Sequence, residues 1–236
     1  MKARQIQPGL FRKEADVSRS PKHLIWPVIA VALLAILVQF QVLTIAFEKL
    51  GLSAQSAYLL LLVTLTGSML NMPLFTLNSN FDDTSDLPEQ MLAWARQRNY
   101  LIPGKTLILV NVGGCVVPVA FSAYLLVAND VRMFQAIPCI LVVSVVAYAI
   151  SRPVRGLGIG MPILFAPLAA AGIAVITGDG NAAPLAYIGG TLGVLIGADL
   201  FRLKDIRKLG TPFASIGGAG SFDGIFVSGL LAVLLA

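Results

Sequence analysis

Two acids stand in apolar surroundings near the end of this sequence: Asp199 in "LIGADLF" and Asp223 in "GSFDGIF". Moving a carboxylate from water into hydrocarbon costs about 3 kcal/mol even on lenient insertion scales, so acids placed there mark a functional site. Three uses fit. An aspartic dyad activates water for peptide hydrolysis, one acid as general base and the other as general acid. A carboxylate can also hold a proton or cation in a transporter or channel. A protonated aspartate in a non-catalytic scaffold can simply donate to a neighbouring helix carbonyl. A dyad needs the two acids side by side, sharing one proton. Asp223 follows Pro212 by eleven residues, ~16 Å along a regular helix. Asp199 lies just before the basic loop "RLKDIRKLGT". Contact between them therefore requires "IGGAG", residues 216–220, to leave the helix, which paired glycines permit.

Other polar and small residues could build the surroundings of such a site. Asn71 in "GSMLNMPLF" and Asn111 in "VNVGGCVVPV" each precede a proline. Proline frees a carbonyl one turn back, and an asparagine amide can satisfy it. The same two amides could line a cavity holding the acids, with Gly197, Gly220 and Gly224 giving it room. Gly189, Gly193 and Gly197 recur every fourth residue, as do Gly220, Gly224 and Ser228. Faces without side chains allow close helix approach, so these two stretches are expected to pack against each other.

Several chemistries are not supported. The one histidine, His23, lies in the polar N-terminal tail, so no Ser/His/Asp set and no His/Cys metal cluster is available. Cys115 and Cys139 lie in apolar runs and read as buried free thiols. The acids Asp82, Asp83, Asp86 and Glu89 lack the glycine and terminal glutamate of a calcium loop. The G-x-G within "GLGIGMPILFAPL" follows no predicted strand and is not a phosphate loop. No cofactor is called for.

The elements that must position these residues are membrane helices. Charged residues make up 12% of the 236 residues and hydrophobic residues 57%, against roughly 25% charge in soluble domains. Seven apolar segments approach the ~20 residues needed to cross a bilayer: 24–47, 54–77, 106–128, 133–151, 157–177, 183–201 and 212–236. The fold class predicted is all-α, a polytopic membrane domain over 24–236 after a basic tail, 1–23. The tail is polar for too long to open a secretory signal. Of the 17 Lys and Arg, only Lys49 and Arg132 fall outside when the N-terminus is cytoplasmic. That split predicts N-terminus in and C-terminus out, with the chain in the cell membrane. It also assigns the +5 net charge to anionic lipid rather than nucleic acid. The long cytoplasmic loop, 78–105, contains a predicted short helix from Pro88 to about Arg98. Its stripe of Leu87, Met91, Trp94 and Ala95 could lie on the bilayer surface or pack over the helix ends.

The segment "GTLGVLIGADLFRLKD…LGTPFASIGGAGSFDGIFVSGLLAVLLA", with "GSMLNMPLF" and "VNVGGCVVPV", resembles a prokaryotic family of uncharacterised multipass membrane proteins carrying a domain of unknown function. The resemblance runs from about residue 60 onward and implies no activity. "IGADLFRLK" is also similar to the G-x-G-D motif of membrane aspartyl peptidases (presenilin, signal-peptide peptidase, prepilin peptidase). That resemblance implies Asp199 as the motif aspartate and Asp223 as its catalytic partner, acting on a membrane-embedded peptide. Ala198 stands where the motif has glycine, and the second aspartate follows the first instead of preceding it.

Overall fold

Several predicted spans change between helix and strand beside a proline or paired glycines. The computed structural model describes residues 41–79, 104–154, 158–205, 211–218 and 222–236, with side chains from 225 onward in the last stretch. The tail, most of the first predicted span, the acidic run, the loop helix with Trp94, and Gly220 lie outside the described residues. Helix α1 (Gln41–Lys49) meets α2 (Ala54–Ser68) at a bend of 109°. Gly51 makes this turn at φ +74°, and the Ser53 hydroxyl accepts from the Ser56 N–H at 3.2 Å to start α2.

The all-α expectation needs correction: the described chain is mostly helical but contains two small sheets. The span predicted over 54–77 stops at Ser68 and continues as strand β1 (Asn71–Asn78). Pro73 cannot supply a helical N–H, and it sits where the register shifts, on an edge strand that tolerates a missing donor. Strand β2 (Lys105–Asn111), "KTLILVN", pairs antiparallel with β1, Asn71 opposite Asn111. Its β-branched residues suit a pleated ladder, and Leu107, Ile108 and Leu109 are buried, as befits a central strand. After β2 comes a widened π-type turn (Val112–Val116), then α3 (Val117–Ala128), with Pro118 removing a donor at the transition. Thus the third predicted span, 106–128, is also part strand.

Helix α4 (Met133–Ile150) is unbroken, although Pro138 lies inside it. A hairpin of β3 (Arg152–Val154) and β4 (Gly158–Gly160) follows, then α5 (Phe165–Thr177). Helix α6 (Ala182–Val194) runs on through a second π-type turn, Leu195–Leu200. Strand β5 (Phe213–Ile216) joins β2 in parallel, and α7 (Phe222–Leu235) ends the chain.

The glycine stripe packs elsewhere than predicted. A Cβ at Gly189 would meet the Cys139 sulfur, one at Gly193 would meet Val143, and one at Gly197 would meet the Ser144 carbonyl and Ala147. Each step of four along α6 is matched by a step of four along α4, so these helices run parallel in close contact. Helix α7 does pack on α6, through another face: Gly190 lies against Ser228 and Gly229, and Gly229 against Tyr187 and Thr191. The stripe was read correctly as a packing device; its partner was not, because spacing shows that a face is smooth and not what lies on it. The buried core gathers Val143, Leu185, Tyr187, Ile188, Ile225 and Val233 from α4, α6 and α7.

Two described helices, Met133–Ile150 and Ala182–Leu200, are long and apolar enough to cross a membrane, or three spans if the bent α1–α2 pair is one. The outer faces are apolar too. Leu59, Leu62 and Leu65 on α2, Phe134, Leu141 and Val145 on α4, and Val175 and Ile176 on α5 are all exposed. Apolar surface on this scale marks a protein that meets lipid or another apolar partner.

Candidate functional site

The sheet ends in a polar junction where three chain segments change direction. Asn111, at the end of β2, is 3% exposed and joins all three. Its Oδ1 accepts the Gly114 N–H at 2.8 Å, capping the turn that opens α3. Its Nδ2 donates to the Ser68 carbonyl at 2.7 Å, closing the C-terminal end of α2, and to Asn71 Oδ1 at 3.2 Å. Asn71 Oδ1 also accepts from the Ser215 hydroxyl of β5 at 2.8 Å. One side chain thus supplies partners to backbone groups that the broken helices would leave orphaned. The expected repair of proline-freed carbonyls is realised in different form, at the helix ends. Ser215 was not anticipated; nothing in its local spacing marks it.

Close backbone approach makes the junction possible. A Cβ on Gly113 would strike the Thr64 carbonyl, and one on Gly114 would strike the Gly217 carbonyl. Gly217 takes φ +69°, the left-handed region favouring glycine. The Gly113–Gly114 and Gly217–Gly218 pairs therefore face each other.

Asp199 reaches this junction from α6. It lies in the second π-type turn, 5% exposed, and its Oδ2 accepts the Gly217 N–H at 2.8 Å. Cys115, half-buried in the first π-type turn, is near enough to feel the charge of that carboxylate. Widened turns re-aim side chains and recur at functional sites, and here one carries Asp199 while the other carries Cys115. Cys139, the other thiol, is buried in α4 with its sulfur 3.6 Å from the Leu185 carbonyl.

Residues 216–218, the described part of "IGGAG", are not helical. The hydrogen bond to Gly217 fixes Asp199 to the segment that runs into α7, whose second residue is Asp223. The side chain of Asp223 lies outside the described residues, as does Gly220; Gly224 is in the first turn of α7. Gly197, expected to line a cavity, is instead filled against α4 by the Ser144 carbonyl. Arg202, the cation nearest Asp199 in sequence, caps the C-terminal end of α4. It donates to the carbonyls of Tyr148 (2.6 Å) and Ser151 (2.7 Å), stacks 4.3 Å over the Tyr148 ring and pairs with Asp205 at 3.0 Å. No group of metal-ligating side chains occurs among the described residues.

Residues 65–235 match the family described as "Protein of unknown function (DUF1614)", and the chain belongs to that family. No curated protein and no solved structure matches it.

Proposed function

Starting from that membership, we propose that this chain is a seven-span protein of the prokaryotic cell membrane, N-terminus inside. In this reading Asp199 and Asp223 form one intramembrane site of the aspartyl-peptidase kind. The observation that carries it is the buried Asp199 carboxylate held on Gly217, in the unwound stretch leading to Asp223. In such a site the ionised acid takes a proton from water as its oxygen attacks the peptide carbonyl carbon. The protonated acid donates to the carbonyl oxygen, and the C–N bond then breaks with proton transfer to nitrogen. The substrate class is a membrane-embedded peptide.

One observation favours a second reading, a proton- or cation-coupled transporter or channel. Strand β2 with α3 and strand β5 with α7 are two strand–turn–helix units, their strands parallel and their glycine turns opposed. Discontinuous elements meeting at mid-chain polar groups are a device of transport sites. A non-catalytic scaffold is the third possibility.

The test uses the full chain in proteoliposomes, measuring cleavage of membrane-spanning peptides and proton or cation flux side by side. The peptidase reading expects cleavage that is lost in Asp199→Asn and in Asp223→Asn, with no flux. Aspartate-dependent flux without cleavage replaces it by transport, and neither activity by a scaffold.

A further inference from the structure

The C-terminal end of α4 carries a second site, unrelated to the acids. Beyond Ile150 the β3–β4 hairpin folds back and leaves a groove of about 490 Å³ lined by Ala149, Ile150, Arg152, Val154, Gly160 and Pro162. That volume falls within the range of ordinary ligand pockets. Five of the six lining residues are apolar. The sixth, Arg152, is exposed, and its guanidinium makes no hydrogen bond or ion pair with the described residues. This contrasts with Arg202, whose donors are taken by Tyr148, Ser151 and Asp205. Arg202 also fixes the approach to the groove, since its Nε donates to the Ser151 hydroxyl at 3.2 Å, next to Arg152. Lys204 is exposed nearby in sequence, and Asp205 is the one acid of this basic stretch that the structure describes, already paired with Arg202.

An apolar trough with one uncommitted guanidinium at its rim matches an amphiphile with an anionic head. The basic residues here lie on the side that charge distribution assigns to the cytoplasm, where the leaflet is rich in anionic lipid. We propose that this groove is a binding site for an anionic phospholipid: Arg152 grips the phosphate, and an acyl chain lies along Ile150, Val154 and Pro162. A guanidinium offers paired N–H donors suited to phosphate oxygens, and an acyl chain buries apolar surface that water would otherwise cover. Free phosphate would gain only the first of these contacts. The inference rests on the membrane placement proposed above and on nothing about the aspartates.

The experiment is native mass spectrometry of the full chain released from detergent, with phosphatidylglycerol or phosphatidylcholine added at equal concentration and glycerol phosphate as a soluble competitor. Wild type should retain phosphatidylglycerol in preference to phosphatidylcholine, and glycerol phosphate should not displace it. Arg152→Gln should lower that preference roughly tenfold or more, the loss expected for a charge-assisted contact. Gly160→Leu, at a lining residue where an added Cβ would meet only ordinary contacts, Val154 Cγ2 at 3.4 Å and the Arg152 carbonyl at 4.0 Å, should reduce retention while leaving the melting temperature unchanged. Equal retention of both lipids by wild type overturns the proposal, as does a preference that survives in Arg152→Gln. Displacement by glycerol phosphate makes the site one for free phosphate and also overturns it. A chain recovered in the membrane fraction yet showing no lipid preference fails this inference alone; a chain absent from that fraction fails the membrane reading.

Discussion

Asp199 Oδ2 accepts the Gly217 N–H at the turn before α7, and an amide oxygen can accept the same N–H. Asp199→Asn should therefore fold with nearly wild-type stability, whereas Asp199→Leu leaves the buried Gly217 N–H without that partner, costing about 1–3 kcal/mol. Thermal unfolding in detergent separates the two; equal melting temperatures would show that the bond does not hold the turn. Asn111→Ala removes three hydrogen bonds at one stroke, two of them to backbone groups at helix ends, and should cost about 2–4 kcal/mol by the same measurement. An unchanged melting temperature would contradict its place at the junction. Asp199 stood out in the sequence because an ionisable residue in an apolar run is costly. Asn111 was visible as a residue type but not in its role, which depends on where α2 ends and on a strand three segments away. Asn111 is of a residue type preferred at helix starts, and that preference would have given the cap.

At the scale of elements, α4 and α6 were legible as long apolar helices, although α4 contains Pro138 and α6 carries the glycine stripe. Those containing Pro73, the Gly113–Gly114 pair and the Gly217–Gly218 pair were not, because hydropathy reports burial in apolar surroundings and is blind to whether the backbone is helix or strand. Thr106, Ile108 and Val110 already favoured a strand, but a strand needs partners, and β1 and β5 lie far away in sequence. The parallel packing of α4 on α6 gives a sharp prediction. Gly189→Ala places a methyl on the Cys139 sulfur and should destabilise, by about 1–3 kcal/mol. Cys139→Ala in the same chain removes that sulfur and leaves only a Cβ at 3.4 Å, an ordinary contact, so the double variant should recover most of the loss. Additive effects of the two changes would show that the residues do not face each other.

For the whole molecule, two cations cap the C-terminal ends of two helices. Lys49 donates to the carbonyls of Val233 and Leu234 at 3.3 Å, at the end of α7, and Arg202 caps the end of α4. Each places positive charge at the negative pole of a helix. Lys49, one of the two basic residues predicted outside, and Arg202, predicted inside, sit at the C-terminal ends of helices that the proposed topology runs in opposite directions. In a chain lacking Cys115 and Cys139, a cysteine at Asp179 should react with an impermeant thiol reagent in intact cells, and one at Lys204 only after the cells are opened. Reaction of position 204 in intact cells would overturn the span count. Charge, counted residue by residue, proposes an orientation; it does not report that four of the seven apolar segments, 54–77, 106–128, 157–177 and 212–236, are part strand.

The pairing of Asp199 with Asp223 carries the proposed chemistry, and its most direct test is proximity. In the thiol-free chain, cysteines replace both acids, and a bis-thiol reagent that reaches only ~5 Å is applied in membranes, that being the range over which two carboxyls share a proton. The account predicts an internal bridge joining the peptides that contain positions 199 and 223, formed only when both cysteines are present and identified by mass spectrometry. If bridging fails at that reach and succeeds only with linkers longer than ~10 Å, the two acids are not one site and dyad chemistry is ruled out.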